Sequence, residues 1–488
     1  MKKITEIYSP VDRKIKVVQF GEGYFLRAFV DYMIDVANEK GVFDGGVAIV
    51  KPIALGSLDR FVRQKNLYTV SLRGQKDGAA YVENRVITCI QNTVDPYQEY
   101  RKFLNLAQID SLQFIVSNTT EAGIVLDHTD RFDAEPPATY PGKLTRFLFE
   151  RFRAFSGDPK KGLIILPVEL IENNGGKLKE CVMSLASIWK LDESFKKWVE
   201  ESCVFCSTLV DRIVSGNPRE EGPAIMEQLG YEDELLDVGE PFGLWVIESE
   251  KDISDLLPLD RAGQSVIFTK DQKPYRERKV KILNGAHTST VLAGYLCGKN
   301  IVRECMEDPE IRMLMERAVY QELAPTVNLP EKEVKEFAAS VMERFQNPFV
   351  KHSLLDISLN SVSKWKSRIL PSLRENYEKN GVPPKYLTFS FAALLAFYTS
   401  QKKAEGALEG VRNGDIYRIR DDEAVLEFVL ENSGKSAEEY VRAFAGQKNF
   451  WGEDLNSYRG FSELASKYLE QMRKQGMKTA VHDVLQEK

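Results

Sequence analysis

The first half of the chain alternates two patterns of apolar residues. Short, almost continuously apolar runs occupy residues 16–20, 47–50, 114–116 and 163–166. Between them, apolar residues recur every three or four positions, most clearly at 25–38 and 143–155. Continuous apolar runs are typical of strands buried on both faces, and parallel strands of that kind need helices as crossovers. The pattern therefore predicts an α/β domain built on a doubly wound parallel sheet.

The second half of the chain is predicted to be mostly helical. Helical spacing extends through residues 301–327, 331–345, 354–378, 387–399, 422–432 and 461–484. Prolines separate several of these segments, and a proline disfavours helix at the residue before it, so these positions indicate helix ends. The change of pattern falls near residue 270. We therefore expect an α/β domain over residues 1–270 and a mainly α-helical domain over residues 271–488.

Composition narrows the class of protein. The chain has 488 residues and a formal net charge of −6, which argues against a nucleic-acid partner because such binders carry an excess of cations. No apolar stretch reaches the roughly 18 residues needed to span a membrane, and the charged first twenty residues lack the apolar core of a secretion signal. Six cysteines and four scattered histidines suit neither a disulfide scaffold nor a zinc site. We expect a cytoplasmic protein without a bound metal.

A glycine-containing turn follows the first predicted strand. Gly21 and Gly23 flank Glu22 directly before the first predicted helix. Glycines at this point let the backbone approach a pyrophosphate, and the helix N-terminus supplies unpaired N–H groups. The turn predicts dinucleotide binding by a Rossmann-type domain. A plain turn is the alternative, because Leu26 replaces the third glycine of the usual pattern.

Charged residues near this turn bear on the cofactor. Glu22 would repel a pyrophosphate unless its side chain points away, and Arg27, one helical turn later, is a cation that offsets it. After the second strand an acid normally binds the adenosine ribose, but Lys51 stands there and the nearest acid is Asp59. Lys51 either favours a phosphate or is exposed to solvent. These local residues do not decide between NAD and NADP.

Three polar residues near the start of the second domain form a candidate catalytic set. Asn284 and His287 are three positions apart and share one face of a helix. Lys279 lies about 12 Å before His287 along a regular helix, so either the helix begins after Lys279 or the substrate bridges the gap. A lysine can protonate the alkoxide formed when hydride adds to a ketone, while Asn284 and His287 polarise the carbonyl. Alternatively, Lys279 and Lys281 form a solvated face and His287 makes an interior hydrogen bond.

Several strings in the chain share one family resemblance. Together they resemble the long-chain mannitol dehydrogenase family over essentially the whole chain. The strings are Gly21-x-Gly23-x-Phe25-x-Arg27, Leu209-Val210-Asp211-Arg212-Ile213 and Lys279-x4-Asn284-x2-His287. Within that family, the stretches 17–28, 206–213, 273–287 and 344–352 are most similar to the members that reduce ketouronates.

The resemblance implies a fold, a reaction and a set of site residues. It implies an N-terminal Rossmann-type domain, a mostly α-helical C-terminal domain and metal-independent hydride transfer with NAD. The implied reaction is the reversible reduction of D-tagaturonate to D-altronate in galacturonate breakdown. Lys279 is the implied general acid/base, Asn284 and His287 the implied carbonyl-orienting pair, and Asp211 and Lys364 the implied substrate contacts. The implied cofactor-binding residues are Gln19, Phe20, Gly21, Glu22, Gly23, Tyr24, Phe25 and Arg27.

A uronate substrate carries a carboxylate, which a cation must meet. Lys351, His352, Lys364 and Arg368 crowd one stretch of the chain, and we predict that Arg368 or Lys364 binds the carboxylate. A helix face exposed to water is the alternative.

Two departures from the polyol enzymes argue against mannitol itself, because Leu170 and Asp356 stand where those enzymes have an Asn and an Arg. Competing predictions are oxidoreduction of fructuronate or of a polyol and, from another class, a dinucleotide-binding sensor without turnover.

Overall fold

The structure is a computed structural model that describes residues 1–76, 78–120, 122–400 and 402–487. The chain divides into two compact units. Unit 1 comprises Met1–Gly74 and Ala80–Gln272, and unit 2 comprises Gln75–Ala79 and Lys273–Lys488. The sequence pattern does not predict that Gln75–Ala79 groups with the second unit.

Unit 1 is built around a six-stranded sheet in which every neighbouring pair of strands is parallel. The strand order is Ile90–Val94, Gly46–Val50, Ile15–Phe20, Phe114–Ser117, Ile164–Pro167, Val204–Phe205. The chain begins at the centre, moves to one edge and returns to build the other side, which is the Rossmann order. The four predicted strands are the four central members, so the predicted doubly wound sheet is confirmed.

Alternate residues of the central strands pack on opposite faces of this sheet. Val17 and Val47 belong to a core cluster with Phe29, whereas Val18 and Ala48 belong to a second cluster. Because both faces are covered, the strands read as continuous apolar runs in the sequence. The α-helices of unit 1 are Tyr24–Leu26, Tyr32–Glu39, Asp59–Arg63, Tyr100–Leu106, Tyr140–Ala154, Asn174–Ile188, Glu193–Ser202 and Gly222–Leu229, with a π-helical stretch at Arg27–Asp31.

Three smaller sheets contain the other strands of the first half. One has the order Ser207–Asp211, Leu244–Glu248, Val266–Thr269. A second has the order Val214–Gly216, Asp237–Gly239, Tyr68–Lys76, Ala79–Ile87, and the third pairs Lys2–Lys3 with Tyr231–Glu232. Short 3-10 helices lie at Ile4–Glu6 and Pro159–Lys161.

Unit 2 is mainly helical, as predicted. Its helices Gly285–Leu296 and Lys385–Phe397 pack together and are apolar and buried on nearly all sides. Its other α-helices are Lys273–Arg278, Val302–Glu307, Pro309–Arg317, Glu331–Phe345, Leu354–Ile357, Ser361–Arg368, Leu370–Asn380, Glu423–Asn432, Ala437–Ala445, Lys448–Trp451, Phe461–Gln475 and Met477–Gln486. Two π-helical stretches lie at Lys279–Asn284 and Ala318–Leu323, and 3-10 helices lie at Ala324–Thr326 and Leu455–Ser457.

The predicted bounds of two helical segments in unit 2 are wrong. The segments 301–327 and 354–378 are not single helices. The first is interrupted where Asp308 caps a new helix that begins at Pro309, because a proline is tolerated only in the first turn. A three-stranded sheet, Lys403–Ala404, Ala407–Arg412 and Asp415–Ile419, also lies in a region predicted to contain few strands. Across the described ranges, the helices are too short or too polar to cross a membrane.

Candidate active site

The glycine-containing turn of unit 1 links the central strand Ile15–Phe20 to a continuous helical segment over residues 24–39. Gly21 has a φ of +132°, and an added Cβ would lie only 2.9 Å from Leu26 Cδ1 and 3.2 Å from the carbonyl oxygen of Asn118. A side chain at Gly21 would therefore be strained and crowded. Gly23 caps the helix, and a Cβ added to it would meet none of the described atoms within 4 Å. A tight turn beside open space at a helix N-terminus fits a pyrophosphate.

Gln19 and Phe20 support this turn from inside unit 1. The Gln19 Nε2 group donates to the carbonyl oxygen of Gly21 at 3.1 Å and to Asp31 Oδ2 at 3.3 Å. Tyr68 Oη donates to the same Asp31 oxygen at 2.7 Å. Phe20 is fully buried in the apolar core. The side chains of Gln19 and Phe20, both predicted to bind the cofactor, are therefore buried inside unit 1. Only their backbone groups would contact a ligand.

Arg27 is also directed into the protein. Its Nη1 group donates to the carbonyl oxygen of Leu235 at 2.6 Å, and its Nε atom lies 3.8 Å from Asp237 Oδ2. The exposed ring of Tyr24 covers the guanidinium at 4.6 Å. Phe25 is half-buried, and its ring stacks on that of Phe29, one turn later in the helix. These residues fix the first turns of the helix that follows the glycines.

Glu22 faces the loop that follows the second strand. Its Oε1 atom lies 3.8 Å from the position that a Cβ on Gly56 would take. Burial raises the pKa of Glu22, and the positive charge of Lys51 partly opposes that shift. Lys51 is buried, pairs with Asp95 Oδ2 at 2.5 Å and donates to the carbonyl oxygens of Ala54 and Gly56 at 3.2 and 3.1 Å. The alternative that Lys51 is exposed to solvent is therefore wrong.

The predicted catalytic residues of unit 2 lie on one continuous helical segment. The segment is α-helical over Lys273–Arg278, π-helical over Lys279–Asn284 and α-helical again over Gly285–Leu296. The alternative in which the helix begins after Lys279 is therefore wrong. Within the π-helical stretch the N–H of Gly285 bonds to the carbonyl of Val280, five residues earlier.

The π-helical stretch changes which side chains share a side of the helix. In a regular α-helix, Lys279 and Asn284 would point about 140° apart around the axis. A π-helical turn holds an extra residue, so two residues five apart lie about one turn apart on nearly the same side. Asn284 and His287, three positions apart, share that side as well. The wider turn therefore favours a common orientation of Lys279, Asn284 and His287.

The neighbouring lysine has a different environment. Lys281 is buried, and its Nζ atom donates to the carbonyl oxygen of Thr326 at 2.6 Å and pairs with Glu375 Oε1 at 2.7 Å. Lys279 is only half-buried. The alternative of a solvated face is wrong for Lys281, whose ammonium stabilises the fold of unit 2. Of the two lysines, Lys279 is the better candidate for proton transfer.

His287 lies in the interior of unit 2. Its ring stacks on Phe345 with 4.3 Å between centroids, and the edge of His352 is 5.0 Å away. The Nε2 atom has no hydrogen-bond partner within the described ranges. Burial lowers the pKa of His287 well below its usual value, and four basic neighbours lower it further. The imidazole is therefore neutral near neutral pH, with one ring nitrogen left for a ligand.

Those four basic neighbours are His352, Arg368, Arg344 and Lys364. Lys364 and Arg368 are four residues apart on the helix Ser361–Arg368. Lys364 Nζ donates to the carbonyl oxygen of Ile357 at 2.9 Å, and Arg368 Nη1 donates to Thr288 Oγ1 at 3.3 Å. Burial and the charge of Arg368 lower the pKa of Lys364. We call His352, Arg344, Lys364 and Arg368 the basic cluster.

The structure thus groups some predicted cations and adds one. Lys364, Arg368 and His352 surround His287 as a set, whereas Lys351 is exposed and is absent from the charges described as acting on His287. Arg344 was not predicted as a site residue. The sequence did contain a sign of Arg344, because this residue begins the stretch 344–352 that carries the family resemblance. It lies in the last turn of the helix Glu331–Phe345. Asp211 ends the strand Ser207–Asp211 of unit 1 and is buried.

The doubly wound sheet with its glycine turn, and the helical unit with a Lys–Asn–His set, define the class of dinucleotide-dependent oxidoreductases. Residues 15–260 match the model of the mannitol dehydrogenase Rossmann domain, and residues 271–473 match that of the mannitol dehydrogenase C-terminal domain. The chain belongs to the mannitol dehydrogenase family, and the resemblance seen in the sequence is confirmed. Within the described residues, we find no group of three or more His, Cys, Asp or Glu side chains that could hold a metal.

Relatives within this family include two proteins of closely similar length. The altronate oxidoreductases of Escherichia coli O7:K1 and Shigella flexneri are each 42% identical to this chain over 473 residues, 96% of both sequences. A solved D-sorbitol dehydrogenase in substrate-free form is 19% identical, with a TM-score of 0.79 over 99% of this chain and 100% of its own. Pseudomonas fluorescens mannitol 2-dehydrogenase, in a ternary complex with NAD and D-mannitol, is 20% identical with a TM-score of 0.64 over 99% and 96%. These two structures share the fold.

Proposed function

We propose that this protein is an NAD-dependent oxidoreductase that reversibly reduces D-tagaturonate to D-altronate, a step in galacturonate breakdown. Family membership supports a dehydrogenase of polyols or sugar acids, and the identity to altronate oxidoreductases favours a sugar acid. The observation that carries the proposal is the basic cluster around His287. A carboxylate-bearing substrate complements that excess of positive charge, whereas a neutral polyol does not.

The proposed cofactor is NAD, which supplies the hydride for reduction when it is bound as NADH. Unit 1 would hold the pyrophosphate at the turn Gly21–Gly23, since Gly21 keeps the turn tight and Gly23 leaves the helix N-terminus open. Gln19 holds the carbonyl of Gly21 from below. The predicted contacts of Glu22, Tyr24 and Phe25 with the nucleotide remain part of this proposal.

Lys279 is the proposed general acid for reduction and the general base for the reverse reaction. Its ammonium gives a proton to the oxygen that gains negative charge as hydride reaches the substrate carbon. Lys281 does not serve this role, because its donors go to Thr326 and Glu375. The π-helical stretch that begins at Lys279 favours its placement on the side of Asn284.

Asn284 and His287 are proposed to hold the substrate carbonyl. The amide of Asn284 donates one hydrogen bond to the carbonyl oxygen. We assign the proton of the neutral His287 ring to Nε2, the atom without a partner among the described residues, so that it donates a second. Because the imidazole stays neutral, it polarises the carbonyl without competing with Lys279 for the proton.

The substrate carboxylate is proposed to bind the basic cluster. Arg368 can meet a carboxylate with two parallel hydrogen bonds, and Lys364 adds a point charge one helical turn away. Arg344 adds a third cation, and like Arg368 it cannot lose its proton. Asp211 in unit 1 is the proposed acceptor for sugar hydroxyls, which suits a carboxylate that cannot donate.

A substrate panel tests this proposal. D-Tagaturonate, D-fructuronate and the uncharged ketohexose D-tagatose are each assayed with NADH and with NADPH by the loss of absorbance of the reduced nicotinamide. We expect D-tagaturonate with NADH to be the preferred pair and D-tagatose to be poor. Equal turnover of the uncharged sugar would reject carboxylate recognition, and nucleotide binding without any turnover would favour a sensor. Activity is expected to survive EDTA, and its collapse would contradict metal-independent transfer.

The proposed place of action is the cytoplasm. All six cysteines are free thiols. Burial raises the pKa of Cys203, Cys206, Cys297 and Cys305 to about 12, so these thiols are unreactive near neutral pH. The unpaired cysteines suit a reducing compartment.

A further inference from the structure

Unit 1 differs from the usual Rossmann pattern at the end of its second strand. An acid normally follows that strand and binds the hydroxyls of the adenosine ribose. Here Gly46–Val50 is followed directly by Lys51. The nearest acid along the chain, Asp59, is exposed at the first residue of the short helix Asp59–Arg63. The strand end therefore offers a cation where a ribose needs an acceptor.

Lys51 does not present its charge to a ligand. An ammonium group has three donors, and Lys51 has three acceptors, namely Asp95 at 2.5 Å, the carbonyl oxygen of Ala54 at 3.2 Å and that of Gly56 at 3.1 Å. Its side chain is 2% exposed. Lys51 is thus a positioning residue that folds the loop 51–56, and it is not available to bind the 2′-phosphate of NADP.

Glu22 supplies a carboxylate at the same place from the first strand. Its Oε1 atom lies 3.8 Å from the Cβ position of Gly56, in the loop that Lys51 organises. The charges of Lys51 and Asp95 both act on it, so the three groups lie close together. Glu22 therefore extends sideways from the glycine turn towards the end of the second strand. This placement removes the objection that its carboxylate would repel the pyrophosphate.

The charges around this loop favour one nucleotide over the other. Glu22 and Asp95 are acidic, and two cations, Lys51 and Arg27, act on Glu22. The donors of Lys51 go to Asp95 and to the loop carbonyls. Arg27, the other nearby cation, is directed to Leu235 and Asp237. A ribose with two hydroxyls can donate to the Glu22 carboxylate, whereas a 2′-phosphate would meet like charge there while the donors of Lys51 and Arg27 are directed to protein groups.

We propose that Glu22 selects NAD over NADP, accepting hydrogen bonds from the adenosine ribose and repelling a 2′-phosphate. The inference rests on the proposed use of a nicotinamide dinucleotide. It assigns to the glycine turn the role that an acid after the second strand usually has.

Direct nucleotide binding tests this assignment. NADH and NADPH are titrated separately into the full-length protein, without a sugar substrate, and the dissociation constants are measured from nicotinamide fluorescence. In Glu22→Gln we expect NADH to bind about tenfold more weakly and NADPH several-fold more tightly, as for loss of one charge-assisted hydrogen bond. Glu22→Ser is expected to move the ratio of the two constants in the same direction.

Raised salt should improve NADPH binding relative to NADH in the unmodified protein and not in Glu22→Gln, because salt screens the repulsion.

Asp59→Asn is the matched control, since Asp59 is the rival acid and lies outside the proposed site. We expect its ratio of dissociation constants to equal that of the unmodified protein. An unchanged ratio in both Glu22 variants, or a changed ratio only in Asp59→Asn, would overturn the assignment. If the ratio changes as expected while no ketouronate is reduced, the role of Glu22 stands and the proposed substrate falls. If the unmodified protein binds neither nucleotide, both fall.

Discussion

Each unit of this protein brings like charges together, buried in unit 1 and half-buried in unit 2, and the two groups differ in how their repulsion can be relieved. In unit 1, Asp31 and Asp237 are buried, and the charge of Arg27 acts on both. Burial raises the pKa of both carboxyls to about 7, although Arg27 opposes the shift. In unit 2, the basic cluster surrounds His287 and lowers the pKa of that ring.

The difference follows from the chemistry of the side chains. A carboxyl can take up a proton near neutral pH and become an uncharged hydrogen-bonding group, as suits Asp31 beside Tyr68 and Gln19. A guanidinium cannot lose its proton in a protein, so Arg344 and Arg368 remain charged. Loss of a proton cannot relieve their repulsion, which a bound anion can offset. A half-buried group of arginines is therefore stronger evidence for an anionic ligand than a buried group of carboxyls is for a cationic one.

The largest effect is expected when Lys279 and Lys281 are compared. Lys281 pairs with Glu375, so we assign it to the stability of unit 2, and we assign Lys279 to proton transfer. We expect Lys279→Ala to lower kcat by about 10²–10⁴-fold, because it removes the proton donor, with little change in NADH affinity. Steady-state kinetics and NADH titration measure the two quantities.

Lys281→Ala is the control for this prediction. It leaves Glu375 without its ion-pair partner at 2.7 Å, so we expect a lower free energy of unfolding and a smaller loss of turnover. Near-normal kcat in Lys279→Ala would assign the proton to another group. A loss of turnover in Lys281→Ala that matches Lys279→Ala, at unchanged stability, would reverse the assignment.

The next largest effect concerns the basic cluster itself. Arg368→Met and Lys364→Met keep much of each side chain's apolar length and remove the charge. We expect kcat/KM for D-tagaturonate to fall by about 10–10³-fold, the size of one or two charge-assisted hydrogen bonds, and kcat/KM for D-tagatose to change little. Lys351→Met is the matched control, since Lys351 is exposed one residue before His352. Equal losses on the charged and the uncharged sugar would show that these cations do not recognise a carboxylate.

The fold could be predicted where burial alone decides the pattern. The four central strands read correctly because both of their faces are covered, so no polar position interrupts them. The hairpin of Ala407–Arg412 and Asp415–Ile419 was missed, although Asn413-Gly414 between its strands is a strong hairpin signal. Both turn residues have positive φ, 53° and 91°, as a type I′ turn requires. The helical spacing of the neighbouring segments outweighed this local signal.

The candidate site was predictable only in part, because distances along the chain do not report distances in space. Asn284 and His287 share a helix face and could be paired from their spacing. Lys279 could not, since the π-helical stretch depends on packing that no periodicity reveals. The ion pair between Lys51 and Asp95 could not be predicted from the sequence either, because Asp95 is 44 residues away and follows another strand.

A smaller effect is expected on the carboxyls of unit 1. The pKa of Asp31 is raised from 3.8 to about 7, so the protonated form stabilises the fold fully below pH 4. That contribution, on the order of a few kcal/mol, is lost as the pH rises through 7. Asp31→Asn should therefore flatten the fall in the free energy of unfolding between pH 5 and 8.

Urea denaturation across that pH range measures the slope. Asp237→Asn should act in the same direction, because the pKa of Asp237 is also raised to about 7. Asp252→Asn, an exposed carboxyl whose pKa is lowered by Ser254, should leave the slope unchanged between pH 5 and 8. A slope in Asp31→Asn as steep as in the unmodified protein would mean that Asp31 is already ionised in the fold and that the two units do not differ as described.

The smallest effect is expected on the pKa of His287 in unit 2. If the basic cluster awaits an anion, a bound carboxylate should offset its charge and raise the pKa of His287 by about one unit. The chain has only four histidines, so a ¹⁵N-histidine NMR titration with and without D-altronate can follow each ring. The exposed His482, whose pKa is raised by Glu310, serves as an internal reference that should not respond. D-Altritol, which lacks the carboxylate, should not raise the pKa of His287. An equal rise with D-altritol would show that hydrogen bonding to the sugar, and not the charge of the carboxylate, moves the pKa of the ring.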